Sequence, residues 1–358
     1  MSRMMLAYWI HSSEGGVMQS QHSGYPPYIP IIKWQPAERR ALDEIDDELI
    51  DGFCPCIEVR NVTQHALFLA ELHHSWEGAA LVDYANPNGR LTKNRYKEFD
   101  AFVSLIAEKG YPIIPVIDSR DMLVLPHAVI ARLSQVSAFV VRLRLQSLVL
   151  DSDSVEQAQS ALKVFGQKNV RGRLLVDLGT SPSEWHAHDV EAFVAGLRDI
   201  KGFGYETIHL ASGAYPPDLT NVPAKAEFVR RDWGLWNAIK EAGPDLLLGY
   251  SDYGILSPAW TEEKLKKIGK KATLRYTRDT DWLILRADGK TLQDSIDLSV
   301  IMVTTYADNF EGKKFSLGDR IIADRADSNV PSHKKRSYWY HIMEGLIHHI
   351  AMVVKKQY

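Results

Sequence analysis

Eight short apolar runs recur along the 358-residue chain, and this recurrence limits the folds open to it. They are Ile29–Trp34, Cys54–Val59, Ala79–Tyr84, Pro112–Asp118, Ala138–Leu145, Arg173–Leu178, Thr207–Ser212 and Leu246–Tyr250. The runs are rich in Ile, Val and Leu at successive positions, not only at alternate ones. A strand reads this way when both its faces are covered, as in a parallel sheet. Gaps of roughly 20 to 35 residues separate the runs, room for one crossover helix each. Helix signals fill several gaps. Pro36 stands where a helix start tolerates it, and Gly52 lies beyond that segment's end. Gly110 and Gly243 close the helical segments 94–110 and 227–243, and segments 153–167 and 183–200 carry apolar residues at helical spacing.

Eight strand-helix units point to a (β/α)8 TIM-type barrel. The rival is an open doubly wound sheet. It lacks support because "KWQPAE" after the first run is the wrong chemistry for a Gly-rich dinucleotide loop. The repeat ends near residue 271. Residues 272–289 read as a two-stranded hairpin, "TLRYT" then "WLILRA", and 290–358 as a helical extension. Within it, a helix is expected around Leu292–Tyr306, a loop over 315–337 and a terminal helix from Tyr338. The expected organisation is a poorly ordered tail over 1–27 and a single barrel domain over 28–358.

Active sites of such barrels lie at the C-terminal strand ends. Here those ends turn abruptly from apolar to charged: "PIIPVI" is followed by Asp118-Ser119-Arg120-Asp121. Lys33 ends the first run, Glu58 and Arg60 the second and Asp83 the third. Arg142 and Arg144 come late in the fifth, Asp177 ends the sixth, Ser212 the seventh, and Asp252 follows the eighth. Side chains alternate along a strand, so Arg142 and Arg144 share a face, as do Glu58 and Arg60. Facing inward at the mouth, such charges can pair with each other or bind a ligand; facing the helix layer they would be costly. Glu58, Asp118, Asp177 and Asp252 are the candidate catalytic carboxylates. Lys33, Arg60, Asp83, Arg142, Arg144 and Ser212 are candidate ligand contacts, with Arg275 and Tyr276 overhanging from the hairpin. The mixed signs suit a phosphate-bearing ligand held by Arg and Lys, with a carboxylate as general base or holding a hard divalent ion. No metal set is assigned and the cofactor is left unknown. A pair of acids at suitable separation would also serve a glycoside hydrolase.

The remaining features bound the function. Net charge is -3, so bulk charge does not call for a polyanionic partner, and no apolar run reaches the roughly 18 residues of a membrane helix. Arg3 before the apolar run Met4–Ile10 outlines a secretory leader, but no small-residue cleavage site follows. Cys54 and Cys56, two apart on one strand, are badly placed for a mutual disulfide and read as buried thiols of a cytoplasmic protein. The basic patches "KLKKIGKK" (264–271) and "HKKR" (333–336) read as solvated surface, with a phosphate-contacting edge as the alternative. His348 and His349 fall on different helical faces, so at most one is expected to point into the core. Trp282 and Trp339 read as core or interface aromatics.

"YIPIIKWQPAERRAL", "PCIEV", "VIDSRD", "YSDYGIL", "LRYTRDTDWLILRADG", "FSLGD" and "YWYHIMEGLIHHI" together resemble the Beta protein family over residues 28–352, in order and spacing. The resemblance implies a prophage or mobile-island setting and a role in excluding other phages. It carries over no established catalytic residues; the family's Lys and Glu near its first two runs correspond to Lys33 and Glu58. Two functions from different classes follow. One is a phage-exclusion protein that acts on or senses an anionic, nucleotide- or nucleic-acid-derived ligand at the mouth, with phosphate-ester hydrolysis as the reaction if it is an enzyme. The other is a non-enzymatic module that recognises a phage protein or restrains a toxin encoded by a neighbouring gene. No membrane partner is expected.

Overall fold

The structure is a computed structural model that describes residues 28–59, 64–84, 93–122, 124–133, 138–165, 171–259 and 271–357. The N-terminal segment 1–27, Arg60 and the basic stretch up to Lys270 lie outside the described residues. Eleven strands are described: β1 (Ile29–Lys33), β2 (Cys56–Glu58), β3 (Ala80–Asp83), β4 (Ile113–Asp118), β5 (Ala138–Arg144), β6 (Arg171–Thr180), β7 (Thr207–Gly213), β8 (Lys225–Val229), β9 (Gly249–Asp252), β10 (Thr273–Thr277) and β11 (Asp281–Arg286). β1 to β7 and β9 close into an all-parallel barrel, sealed where Ile29 pairs with Ser251. All eight apolar runs therefore mark barrel strands. The eighth is displaced: Leu246 ends a short 3-10 turn, Leu247 adopts a left-handed backbone, and pairing begins only at Gly249.

The interior and exterior follow strand alternation. Ile31, Cys56, Leu81, Val116, Val140, Leu175 and Ala211 form one apolar cluster, the barrel lumen. Their neighbours Ile32, Ile57, Val82, Ile117, Val141, Leu174 and Leu210 pack outward in the large core shared with the helices. Those helices are α1 (Pro36–Glu44), α2 (His65–Ser75), α3 (Lys93–Lys109), α4 (Ser119–Met122), α5 (His127–Leu133), α6 (Ser152–Phe165), α7 (Ala187–Lys201) and α8 (Arg231–Ala242). The extension adds α9 (Leu292–Thr305), α10 (Leu317–Ala326) and α11 (His341–Met352). α11 packs against α1 and buries Met343, Leu346, Ile347 and Ile350 in the same core. It thus fills the place beside β9 and β1 that the repeat would give to an eighth helix.

Two expectations about the chain's second half need correction. The hairpin has a third strand, in the order β10-β11-β8, so "EFV" at 227–229 belongs to a strand and α8 starts only at Arg231. One face of this sheet (Trp282, Ile284) joins the barrel core; the other (Leu274, Tyr276, Leu283, Leu285) packs on Leu298 of α9 and Ile322 of α10. The stretch expected as a loop contains α10, started by Ser316, whose hydroxyl accepts from the Asp319 N–H.

Candidate functional site at the barrel mouth

Strand register brings the charges together. Lys33, Glu58 and Asp83 stand side by side on β1, β2 and β3. Asp118 stands beside Arg142, and Arg144 beside Asp177. All continue the inward-facing rows of the lumen.

Arg142 is the centre of the site and is fully buried. Its guanidinium donates to Glu58 Oε1 at 2.8 Å, to Asp83 Oδ2 at 2.5 Å and, through two nitrogens, to Asp177 Oδ2 at 3.0 and 2.8 Å. It also donates to the Tyr253 hydroxyl at 2.7 Å. Burial opposes this charge, but the carboxylates of Asp177, Glu58 and Asp83 more than offset it and hold Arg142 well above the ordinary guanidinium range. Arg144, one turn of the pleat nearer the solvent, spreads its fork over Asp118 (3.2 Å), Asp177 (3.1 Å) and Asp83 (3.0 Å). Arg120 grips Asp118 with two nitrogens, at 2.8 and 2.6 Å.

Burial alone would push the Asp177 carboxyl up; Arg142 and Arg144 together outweigh it and keep the group below the ordinary carboxylate range. Asp177 is therefore an anion throughout the neutral range and cannot act as a general acid there. Tyr253 donates to both Asp177 oxygens at 2.9 Å, and burial pushes its phenol well above the ordinary value, so it stays a neutral donor. Lys33 donates to the carbonyls of Ser257 and Ala259 at 2.7 and 2.6 Å, tying the segment after β9 to β1. Pro258 of that segment lies against Gly213, where an added Cβ would sit 2.9 Å from its ring.

Glu58, Asp83, Asp118, Asp177, Lys33, Arg142 and Arg144 thus meet at one place, as the run ends suggested. Other candidates do not. Asp252 faces outward: Tyr253, its neighbour, is the lumen residue. Its carboxylate receives Tyr28 (2.5 Å), Tyr250 (2.9 Å) and the Gly254 N–H (3.0 Å), and pairs with His349 Nε2 at 2.8 Å. Burial raises this carboxyl, but His349 and the hydrogen bond from Tyr28 win and lower it to about 2. Ser212, in register with Asp252, also faces away from the lumen and bonds Ser181. Tyr276 lies under the far face of the sheet, bonded to Asp319 and stacked on His348, so it does not overhang the mouth. Arg275 lies on the barrel-facing side beside Tyr215, not at the charge cluster. Arg60 lies outside the described residues.

Tyr253 is the member of the candidate site that sequence reasoning missed; counting alternation onward from Ser251 would have placed it inward. Both His348 and His349 are buried, against the expectation of one, because the sheet covers one side of α11 and the barrel the other. Trp282 is core and Trp339 is exposed. The two thiols face the lumen unpaired; burial pushes Cys54 up to about 12 and Cys56 well above its ordinary value. Among the described residues no cluster of His, Cys, Asp and Glu has metal-holding geometry, and no helix is long and apolar enough to cross a membrane.

The fold and site define a closed (β/α)8 barrel whose mouth is lined by a buried arginine–carboxylate network. The chain belongs to the Beta protein family, whose sequence model matches residues 28–355. No curated protein matches the chain. Among solved structures it is similar to a putative fructose-1,6-biphosphate aldolase from Coccidioides immitis, with 13% identity over 60% of this chain and 70% of that one, at a TM-score of 0.35. A GH5-4 broad-specificity endoglucanase from an uncultured bacterium gives 8% identity over 60% and 79%, at 0.37. The carboxyl transferase domain of Rhizobium etli pyruvate carboxylase gives 10% over 63% and 39%, at 0.37. These distant likenesses say nothing about chemistry.

Proposed function

We propose that the barrel mouth binds a phosphate-bearing small ligand, of nucleotide type, and that this binding serves a phage-exclusion role. One observation carries the ligand class: the two outer cations, Arg144 and Arg120, stand nearer the solvent than the acids they pair with. The side chains of Arg144 and Arg120 are 18% and 31% exposed, whereas those of Asp83, Asp118 and Asp177 are 2% or less. An approaching ligand meets guanidinium edges first, already held in fixed orientation by the carboxylates behind them. Such a fork suits phosphate oxygens. Glu58 is the acid of the network nearest solvent and is the group to act as general base, should the bound ester be hydrolysed. The phage setting rests on family membership. Partner proteins from neighbouring genes, and a cytoplasmic location, belong to this proposal as well.

The test is a calorimetric titration of the wild type with a panel of mono- and dinucleotides and inorganic phosphate, repeated with Arg120→Met. Arg120 is half-buried at the rim, so its loss leaves the Arg142 network in place. Binding by the wild type, weakened about 10- to 100-fold in the variant, supports the reading. A panel without any binder refutes it. Plating of phages on cells carrying either form then reads the biological role.

A further inference from the structure

The C-terminal extension carries a second charged surface. Residues 333–340 read His-Lys-Lys-Arg-Ser-Tyr-Trp-Tyr, with the cations of Lys334, Lys335 and Arg336 one serine away from three aromatics. His333 and Lys334 are exposed on a short 3-10 turn, and a second such turn presents Tyr338–Tyr340 ahead of α11. Trp339 is 62% exposed, the most exposed large apolar side chain among the described residues. Its indole stacks on Tyr338 with ring centroids 4.8 Å apart. Two guanidiniums lie over the Tyr340 ring, Arg40 of α1 at 4.9 Å and Arg336 at 5.1 Å from its centroid. Lys335 donates to the Arg325 carbonyl, a neutral partner. Three acids reach these cations: Glu44, bonded to Arg336 at 2.6 Å, Asp327, which feels Lys335, and the buried Glu344, which is paired with Arg325 and also feels Arg336. Four cations (Arg40, Lys334, Lys335, Arg336) therefore face Glu44 and Asp327, with Glu344 taken up by a fifth, the buried Arg325.

We infer that this surface binds single-stranded nucleic acid, with Trp339 as the stacking platform and Lys334, Lys335, Arg336 and Arg40 along the phosphate backbone. An exposed indole costs solvation unless a flat apolar group covers it, and every unpaired base offers one. The flanking cations supply the charge that a sugar–phosphate chain needs. A duplex hides its base faces and would leave the indole unused. A membrane would need several apolar side chains at the surface, and Tyr338 and Tyr340 are half-buried. Its contacts run to Arg40 and Glu44 of α1, to Arg325 of α10 and to Met343 of α11, none of them a residue of the mouth network. It is a site separate from the one proposed above.

Fluorescence anisotropy with a labelled oligothymidylate tests the inference on the full chain. The wild type should bind, and a four-fold rise in salt should weaken binding about 10- to 50-fold. Trp339→Ala should cost about ten-fold and Trp339→Phe should recover most of it. Because the indole is exposed, both variants should melt as the wild type does. Equal affinity of Trp339→Ala and wild type, tighter binding of the matching duplex, or sedimentation with phosphatidylserine vesicles in place of oligonucleotide binding would each overturn it.

Discussion

Replacing Arg142 with methionine removes the cation at the centre of the mouth while keeping much of its volume. The guanidinium is fully buried and makes five hydrogen bonds, to Glu58, Asp83, Asp177 and Tyr253. The variant leaves those carboxylates in a dry site with Arg144 to share among them. Breaking a buried pair from one side costs about 3–5 kcal/mol. Unfolding entropy for 358 residues is about 0.75 kcal/mol per kelvin, so the melting temperature should fall by about 4–7 °C at neutral pH. The pH dependence makes the prediction specific. Asp177 is depressed below its unfolded value, so its contribution to stability is full above that value, near pH 4, and is lost as pH falls through the lower folded value. In the variant the depressing charge is roughly halved while burial persists, and this contribution shrinks. The gap between wild type and variant should therefore be widest at neutral pH and close below about pH 4. Scanning calorimetry across that range measures it. A gap that stays constant with pH, or a loss under 1 °C, would refute the assignment of Arg142 as the charge that holds the network.

Three further outcomes follow from named contacts. Asp252→Asn should destabilise the protein while leaving ligand binding at the mouth unchanged, and it should flatten the loss of stability between about pH 4 and pH 2, where wild-type Asp252 takes up its proton; melts at several acidic pH values read this. Gly318→Ala should destabilise by more than about 2 kcal/mol, since its Cβ would sit 2.2 Å from the Glu344 carbonyl and force α10 off α11; urea unfolding measures it. Cys54 and Cys56 should react with a thiol reagent only after unfolding, because both are buried and their thiolates are suppressed; mass spectrometry of the labelled native protein checks this.

The barrel was legible because its strands are buried on both faces, which leaves continuous apolar runs that few other structures produce. β8 escaped the same test for the opposite reason. Lys225, Glu227 and Val229 are exposed, only the alternate Ala226 and Phe228 are partly covered, and "EFV" runs straight into a true helix. α10 escaped because Gly318, Asp319 and Arg320 in its first turn look like loop chemistry. Gly318 is there for a different purpose, the close passage of α10 over the backbone of α11.

The candidate site was legible to the extent that parity could be counted. Arg142 and Arg144, or Glu58 opposite Asp83, sit on strands whose register is fixed by long apolar stretches, so a charge at the end has only one face to take. At the last strand the apolar run begins at Leu246, three residues before the strand does, and Asp252 beyond it resembles one more mouth carboxylate. The physical difference is that Asp252 ends up in the helix layer, where a charge must be paired. Tyr28, Tyr250 and His349 supply that pairing. Its partners come from the start of the barrel, from β9 and from the last helix, so they join the two ends of the described chain. The carboxylate that looked catalytic instead fastens the extension to the barrel. The same strand end turns Tyr253 inward to complete the site. One residue of parity separates a structural latch from a member of the mouth network, which is why charge at a strand end indicates a candidate site only after the facing has been established.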